Sequence, residues 1–352
     1  MFKKFRSRRA SSAAQDVPPP LLCAIDDRPS TVGNVAQFTE EPPQPEDVAA
    51  LEGIDFDGTF VPFANPSHGL LVDVNAVDMV IEAAPNVDKA NVWNGCGGCP
   101  VSDIGGDFVP PRFEFGCSKN ANLRWASTLQ WREIHRIDHI LNTPRIHFKT
   151  IKANWNHFFC ARTRTDNKNL VVYEHVGGLN KALATLETEH DISFADVMAH
   201  YLFLTEFQWT QLDTRPFDPK HPTVGQMVKI LDFSGMALSD CKNADFRTFV
   251  SWTMRTIGQH YPERCAAIYM INTPSWFSTF WLVIQRLISD VTKQKIRICP
   301  APKDYVRRLT AWLGQPNLPV ILGGELQVDG VNHLSHDETI LHNFVNERLV
   351  QA

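Results

Sequence analysis

The chain has 352 residues, of which 43% are hydrophobic and 10% aromatic, enough for one sizeable core or two small ones. Its formal net charge is -5, and its apolar runs are too short to span a bilayer. Eight cysteines, with no secretory signal and no repeating spacing, favour reduced thiols in an intracellular protein over a disulfide framework.

Charge is distributed unevenly along the chain. Residues 1–21 contain five basic side chains and one acidic side chain, whereas residues 22–110 contain two basic and fifteen acidic ones. The remainder carries a net charge of +4. That excess is too small to indicate nucleic acid binding, but it suits transient contact with an anionic membrane surface.

The N-terminal part shows little capacity to form a core. The basic, serine-rich start MFKKFRSRRASSAAQ fits a transit peptide, a basic arm that attracts anionic lipid, or a disordered terminus. A proline-rich acidic stretch follows, so we predict that residues 1–68 are disordered. Residues 69–143 are expected to form a small helical lead-in, with helical patterns at VDMVIEAA and at Asn122–Leu141.

Two patterns in this lead-in resemble metal sites. Cys96 and Cys99 form half of a zinc knuckle, and Cys117 could add a third thiolate, but no second pair follows. His135 and His139 are four residues apart, without an acidic or cysteine partner placed to complete a site. We therefore expect loop cysteines, histidines in the core or at the surface, and no metal.

The rest of the chain alternates strand and helix patterns. Strands are predicted at Phe158–Phe159, Leu170–Val176, Met227–Asp232, Ala266–Asn272 and Ile296–Ile298. Helical stripes lie at Phe194–Leu212, at Phe246–Ile257, where Pro262 ends the helix, and at Tyr305–Leu313. Because strand, helix and strand follow one another, the sheet should be at least partly parallel.

No catalytic constellation emerges from the sequence. The nucleophile-elbow, phosphate-loop, zinc-protease and dinucleotide-binding motifs are all missing from it. We therefore expect a binding protein that is not an enzyme and needs no cofactor.

Five short motifs then occur in a specific order. They are YPER at Tyr261–Arg264, INTP at Ile271–Pro274, an aromatic helix, VTKQK at Val291–Lys295 and LPVILGG at Leu318–Gly324. In order and spacing they resemble the CRAL-TRIO lipid-binding family, in particular its phosphatidylinositol/phosphatidylcholine transfer branch. The resemblance implies an α/β fold in residues 144–325: a mixed, largely parallel sheet floor, covering helices and a gated hydrophobic pocket, followed by a tail at 326–352.

The resemblance also implies a binding site. Glu263 and Lys295, with Thr292 beside the lysine, would recognise the head group of phosphatidylinositol, because a phosphodiester needs a cation and inositol hydroxyls need acceptors. The alternative for Glu263 is an ordinary surface salt bridge to Arg264 or another neighbour. The helix Ser275–Leu287 would form the gate and line the pocket with Trp276, Phe277, Phe280, Trp281, Ile284 and Leu287.

This sequence departs from the family pattern at several positions. In PPRFEFGC the only basic side chain is Arg112, and Glu114 stands where the family would place a phosphate-facing arginine. Met227 and Lys229 stand where choline-lipid binders have hydroxyls, so the second lipid is predicted to differ from phosphatidylcholine.

The gate helix is apolar on both sides. Leu282 and Val283 lie opposite the pocket seam, where a surface helix would be polar. Complete burial in the core would explain this pattern, and so would a helix that lines the pocket and meets the bilayer when it swings out.

The predicted function is binding of a phospholipid, most simply phosphatidylinositol, and its exchange between membranes by a cytoplasmic, peripherally associated protein. Its partners would be phospholipid, an anionic membrane surface visited transiently and a possible protein bound by the N-terminal segment, with no nucleic acid. Two alternatives are a lipid-responsive regulatory module without transfer and a carrier of another hydrophobic ligand, such as a tocopherol or retinoid.

Overall fold

The computed structural model describes residues 109–116 and 121–351, together with two short paired strands, β1 (Phe63–Ala64) and β2 (Leu71–Val72). The remaining strands are β3 (His157–Arg162), β4 (Leu170–His175), β5 (Met227–Asp232), β6 (Cys265–Ile271) and β7 (Ile296–Cys299). The helices are α1 (Pro111–Gly116), α2 (Ala121–Ile134), α3 (Phe148–Asn154), α4 (Leu179–His190), α5 (Phe194–Phe207), α6 (Ala244–Trp252), α7 (Gly258–His260), α8 (Phe277–Ile284), α9 (Asp290–Lys295), α10 (Pro302–Leu313) and α11 (His336–Gln351).

Several sequence predictions fall outside the described residues. These are the disorder of residues 1–68, apart from β1, the helical stretch VDMVIEAA and the three cysteines Cys96, Cys99 and Cys117. Among the residues that are described, no helix is both long enough and apolar enough to span a membrane.

The sheet is mixed and largely parallel, as predicted. Its five strands lie in the order β3-β4-β5-β6-β7; β3 pairs antiparallel with β4, and every later pair is parallel. Helices connect the parallel strands, as such crossovers require. The predicted strand, helix and strand from Met227 to Asn272 are confirmed, with a left-handed Gly235 in the turn after β5.

Alternation along the strands gives the sheet two differently covered faces. Val228, Ile230 and Tyr269 belong to the back face, which packs on α10 and on the chain from Leu318 to Val328. Val172, Leu231 and Met270 belong to the front face, which packs on the larger cluster of helices that includes α5, α6 and α8. Because successive side chains of a strand point to opposite faces, Glu174 and Lys229 also lie on the front face.

The predicted helix Asn122–Leu141 is interrupted. Helix α2 ends at Ile134, Arg136 adopts a left-handed conformation with φ of 50°, and a 3₁₀ helix follows from Ile137 to Asn142. His135 is consequently buried against Trp131, whereas His139 is exposed. The break removes the helical spacing that would have brought the two imidazoles together, and the described residues contain no cluster of three metal-ligating side chains.

Helix α2 packs on the end of the long helical segment that precedes β6. The Trp131 ring stacks on His260 with centroids 4.1 Å apart, and the Thr128 hydroxyl lies 2.9 Å from His260 Nδ1. Arg132 reaches further inward, where its Nη1 donates to Glu206 Oε1 at 2.9 Å. These contacts attach the lead-in to the helices on the front face of the sheet.

Helix α11 covers the edge strand β3 through a buried ion pair. Lys152 Nζ lies 2.5 Å from Glu338 Oε1, and the two side chains are only 2% and 0% exposed. The second oxygen of Glu338 accepts a hydrogen bond from Phe159 N at 2.9 Å, beside an irregularity in the β3–β4 register. Burial lowers the pKa of Lys152, although the Glu338 carboxylate acts in the opposite direction.

Glu338→Gln should lower the free energy of unfolding by about 3–5 kcal/mol, because it leaves the buried Lys152 ammonium without a counter-charge. Adding Lys152→Met should restore most of the loss. Urea unfolding followed by circular dichroism measures both changes. Asp290→Asn, in the exposed Lys293–Asp290 pair, is the control and should change stability far less. Wild-type stability in Glu338→Gln would contradict this account of the edge strand.

Candidate functional site

Glu263 and Lys295 come together at the edge of the sheet where β6 and β7 begin. Lys295 Nζ donates to Glu263 Oε2 at 2.7 Å, with the side chains 20% and 9% exposed. Arg264 is not the partner of this carboxylate. Its guanidinium is buried over the Trp209 ring and donates to Gly225 O at 3.3 Å. The glutamate and the lysine that the sequence analysis singled out therefore form one partly accessible ion pair.

The backbone of Glu263 is held in an uncommon conformation. Its φ is 54°, in the left-handed region that few side chains other than Asn and Asp adopt. Arg112 Nη1 and Gln226 Nε2 both donate to the Glu263 carbonyl, at 2.9 and 3.1 Å. Burial lowers the pKa of Arg112 to about 10, although the negative charges of Asp213 and Glu263 act to raise it. Arg112 thus contacts the site through a backbone carbonyl, while Glu114 is exposed.

Thr292 contacts Ser289 at the start of α9. Its hydroxyl lies 2.9 Å from the Ser289 hydroxyl, and its backbone N–H donates to Ser289 Oγ at 3.3 Å. Ser289 is the N-cap of α9, and Lys295 lies at the other end of this helix. Thr292 therefore stabilises the start of the helix whose end presents Lys295.

The helix expected to form the gate is shorter than Ser275–Leu287. Helix α8 covers Phe277–Ile284, and a 3₁₀ turn continues from Gln285 to Leu287. The six residues that were predicted to line a pocket lie on the side that packs against the front-face core: Trp276, Phe277, Phe280, Trp281 and Ile284 are buried, and Leu287 is partly buried.

The opposite side of α8 is less apolar at the surface than the sequence suggested. Leu282 is 49% exposed, but Val283 is partly buried and packs against the front-face core. The sequence analysis placed both residues opposite the pocket seam; Leu282 lies there, whereas Val283 packs against the core. The reason is that α8 lies deep enough in the fold for positions flanking the seam to contact the core as well.

A second ion pair lies on the front face of the sheet. Lys229 Nζ is 2.8 Å from Glu174 Oε2 and donates to the Tyr201 hydroxyl at 2.5 Å. Burial alone would lower the pKa of Lys229, but Glu174 and Tyr201 outweigh it, so the pKa is raised and the side chain is charged. Met227 contacts Gln208, whose Nε2 lies 3.2 Å from the thioether sulfur. The sequence analysis missed Glu174, although a carboxylate inside the apolar strand LVVYEH was a signal that a cation lies nearby.

Comparison with known proteins assigns the domain. Residues 154–324 match the family model of the CRAL/TRIO domain. The chain is 22% identical over 210 residues to the Sec14 cytosolic factor of Schizosaccharomyces pombe, covering 58% of this chain and 69% of that protein. Identity to a phosphatidylinositol/phosphatidylcholine transfer protein of Arabidopsis thaliana, SFH12, is 23% over 208 residues, 57% of this chain and 35% of the relative. Over a shorter stretch of 108 residues, the SEC14 cytosolic factor of Yarrowia lipolytica is 36% identical, with 29% of this chain and 21% of the relative covered.

A solved structure supports the same fold. The crystal structure of Sfh5 superposes with a TM-score of 0.52 at 15% sequence identity, over 82% of this chain and 100% of that one. The parallel strands, the covering helices and the family match agree. Residues 154–324 therefore belong to the CRAL/TRIO family.

The contact between Arg112 and the Glu263 backbone can be tested at Gly225. A methyl group built on Gly225, whose φ is 71°, would lie 2.5 Å from Arg112 Nη2, whereas one on Gly235, with φ of 76°, meets nothing within 4 Å. Gly225→Ala should therefore destabilise the protein more than Gly235→Ala. The Gly235→Ala variant has only the strain of a left-handed backbone, about 1–2 kcal/mol, and no clash. Thermal unfolding measures the stability of both variants. Equal losses of stability would show that Arg112 can move away from the new methyl group without destabilising the protein.

Proposed function

We propose that the CRAL/TRIO domain binds one phospholipid, with phosphatidylinositol as the leading candidate, and exchanges it between membranes without chemical turnover. The observation that carries the proposal is the ion pair of Lys295 and Glu263, 2.7 Å apart and partly accessible at the edge of the sheet. The names of the related plant proteins, phosphatidylinositol/phosphatidylcholine transfer proteins, supply the ligand class.

The two members of this pair offer complementary chemistry to the head group. The Lys295 ammonium would bind the phosphodiester through charge-assisted hydrogen bonds. Glu263 would then exchange its lysine partner for inositol hydroxyls, which donate to its oxygens. The fixed backbone of Glu263 keeps the carboxylate in place during the exchange, because Arg112 and Gln226 hold its carbonyl. We restrict the proposal to phosphatidylinositol because Met227 and Lys229 lack the hydroxyls expected of a choline-lipid site.

The acyl chains would lie between the front face of the sheet and α8. Burial of each methylene stabilises the bound lipid by about 0.8 kcal/mol, so escape through water would be extremely slow. Exchange therefore needs a membrane surface and movement of α8. Leu282 on α8, Val291 on α9 and the basic residue Arg286, which lies between them in the chain, are all exposed, a combination suited to transient, peripheral contact with an anionic bilayer. In this proposal the protein acts in the cytoplasm, and the N-terminal segment is available to a protein partner.

Lys295→Met should reduce the rate of phosphatidylinositol transfer between vesicles at least tenfold, because a charge-assisted hydrogen bond contributes about 1.5–3 kcal/mol. Glu263→Asn should have a similar effect, since asparagine tolerates the left-handed backbone but lacks the charge. A radiolabelled-lipid transfer assay measures both.

The matched control for this prediction is Lys293→Met in the same helix. The Lys293 ammonium pairs at the surface with Asp290, so its loss removes the same charge from α9 without touching Glu263. Transfer by Lys293→Met should be close to wild type. Normal transfer by a folded Lys295→Met protein would overturn the head-group assignment.

Leu282→Glu should weaken binding to anionic vesicles and slow transfer at least tenfold, because it places a carboxylate on the outer side of α8 where the bilayer would lie. The substitution should leave the fold intact, since Leu282 is 49% exposed, and vesicle co-sedimentation with circular dichroism checks both points. Ile340→Glu, at an exposed apolar position of α11, is the matched control and should bind normally. If both variants behave alike, α8 is not the contacting helix.

A further inference from the structure

The outer side of α10 carries three cations on the back of the molecule. Lys303, Arg307 and Arg308 are exposed, while the inner side of the same helix packs on the back face of the sheet. Within the part of the chain that the structure describes, no carboxylate forms an ion pair with any of the three. The only carboxylate in the helix, Asp304, accepts a hydrogen bond from Ala301 N at 3.0 Å and caps the start of α10.

These cations are placed where they weaken the helix. Lys303 lies in the first turn of α10, at the end of the helix dipole that repels positive charge. Arg307 follows it by four residues, so the two like charges are neighbours on one side of the helix and repel each other. Their positions do not stabilise α10, and an anion bound over this side would relieve both effects.

An apolar turn lies beside these cations. A methyl group built on Gly323 would lie 3.4 Å from Val306 Cγ2, which places the 3₁₀ turn Val320–Leu322 against the flank of α10. Val320 and Ile321 in this turn are 50% and 42% exposed. We call the three cations and these two residues the back surface. It combines positive charge with exposed apolar side chains, so it fits a partner that is both acidic and apolar.

The chain itself contains a segment of this composition. Residues 40–57 carry seven acidic side chains and no basic one. Apolar residues are interspersed with the acidic ones in the second half of this segment, where Val48, Leu51 and Ile54 are spaced three apart. Such a segment can place carboxylates on the cations of the back surface and apolar side chains on its turn.

The length of chain between this segment and the domain permits the contact. The described domain begins at Val109, just before α1, and Arg112 of α1 is bonded to the Glu263 carbonyl. The 51 residues from 58 to 108 would span about 40 Å even as a random coil, comparable with the diameter of a domain of this size. A segment linked in this way has an effective concentration of about 1 mM, which favours it over an acidic partner from elsewhere.

A bilayer is a less suitable occupant. The back surface and α8, the proposed site of membrane contact, lie on opposite faces of the sheet, so one flat membrane cannot contact both. We propose that residues 40–57 dock on the back surface of the same chain, with their carboxylates on the three cations and their apolar residues on the turn at Val320 and Ile321. The proposal concerns an interaction within the chain and does not depend on which lipid the domain carries.

Zero-length cross-linking of the full-length chain tests this docking. A water-soluble carbodiimide joins a lysine to a carboxylate only when the two are in contact, and Lys303 is the lysine of the back surface. Peptide mass spectrometry should find Lys303 linked to carboxylates of residues 40–57 at least fivefold more often than the exposed Lys181 of α4. Mixing unlabelled protein with protein labelled with heavy nitrogen separates the two sources, because links within one chain join peptides of the same label.

Two charge reversals locate the contact. Arg307→Glu combined with Arg308→Glu leaves Lys303 in place and should reduce its links to residues 40–57 at least fivefold, because the surface then repels the segment less favourably placed cations would attract. The matched control is Lys181→Glu combined with Lys242→Glu, which makes the same change of charge at exposed positions next to the front-face cluster. The links of Lys303 should then equal those of the wild type, and circular dichroism checks that both variants are folded.

The apolar part of the contact is tested without removing any carboxylate. Leu51→Ser combined with Ile54→Ser should lower the yield of Lys303 links at least twofold, and Val320→Asn should do the same from the other side of the contact. Val350→Asn is the control for Val320→Asn, because Val350 is an 87% exposed valine on α11. It should leave the yield unchanged.

Several results would overturn the inference. Lys303 linked to residues 40–57 no more often than Lys181 would do so, as would undiminished links in the double arginine variant. Links found only between labelled and unlabelled chains would show that the occupant belongs to a second copy. Loss of anionic vesicle binding in the arginine variant, with no links to residues 40–57 in the wild type, would make the back surface a membrane contact. None of these results bears on the head-group assignment at Lys295.

Discussion

The left-handed backbone at Glu263 is the constraint on which the front of the molecule depends. It lies in the turn between the long helical segment and β6 and directs consecutive side chains to different places. Tyr261 points inward and donates to Glu206, the acceptor of Arg132 from the lead-in. Arg264 is buried over Trp209, while Glu263 reaches outward to Lys295. Extended geometry at this position would separate these contacts, so one strained residue couples the lead-in, the sheet and the candidate site.

The two faces of the sheet are held to their covering helices by different interactions. The back face is held by apolar packing against α10, which resembles an ordinary protein core. On the front face, Lys229–Glu174 and Lys152–Glu338 are both buried, and His157 lies close enough to feel the charge of both lysines. Buried ion pairs contribute little stability beyond what apolar residues of equal volume would give, because desolvation opposes the attraction. Removing one partner of either pair would leave a lone buried charge, so the pairs constrain how β4, β5, α3 and α11 pack at this face more than they add to net stability.

Local patterns predicted the strands, since Met227–Asp232 and Cys265–Ile271 are short apolar runs with clear ends. The order of the motifs identified Glu263 and Lys295 as a pair, although they are distant in the chain. Other features of the fold have no local signal in the sequence. Neither glycine nor proline marks the break at Arg136, and the partner of Lys152 lies near the C-terminus. Val283 is partly buried because α8 lies deep in the fold, and the position of α8 depends on all the neighbouring elements at once.

Exposure distinguishes the ion pair Lys295–Glu263 from the ion pair Lys229–Glu174. At the edge of the sheet, the Lys295 and Glu263 side chains are 20% and 9% exposed, so solvent reaches this pair. On the front face, Glu174 is 4% exposed and would be left as an unpaired buried charge if Lys229 moved away. The Lys295–Glu263 pair is thus the more accessible of the two ion pairs. The proposed function accordingly requires this pair, and not the front-face pair, to open around a head group.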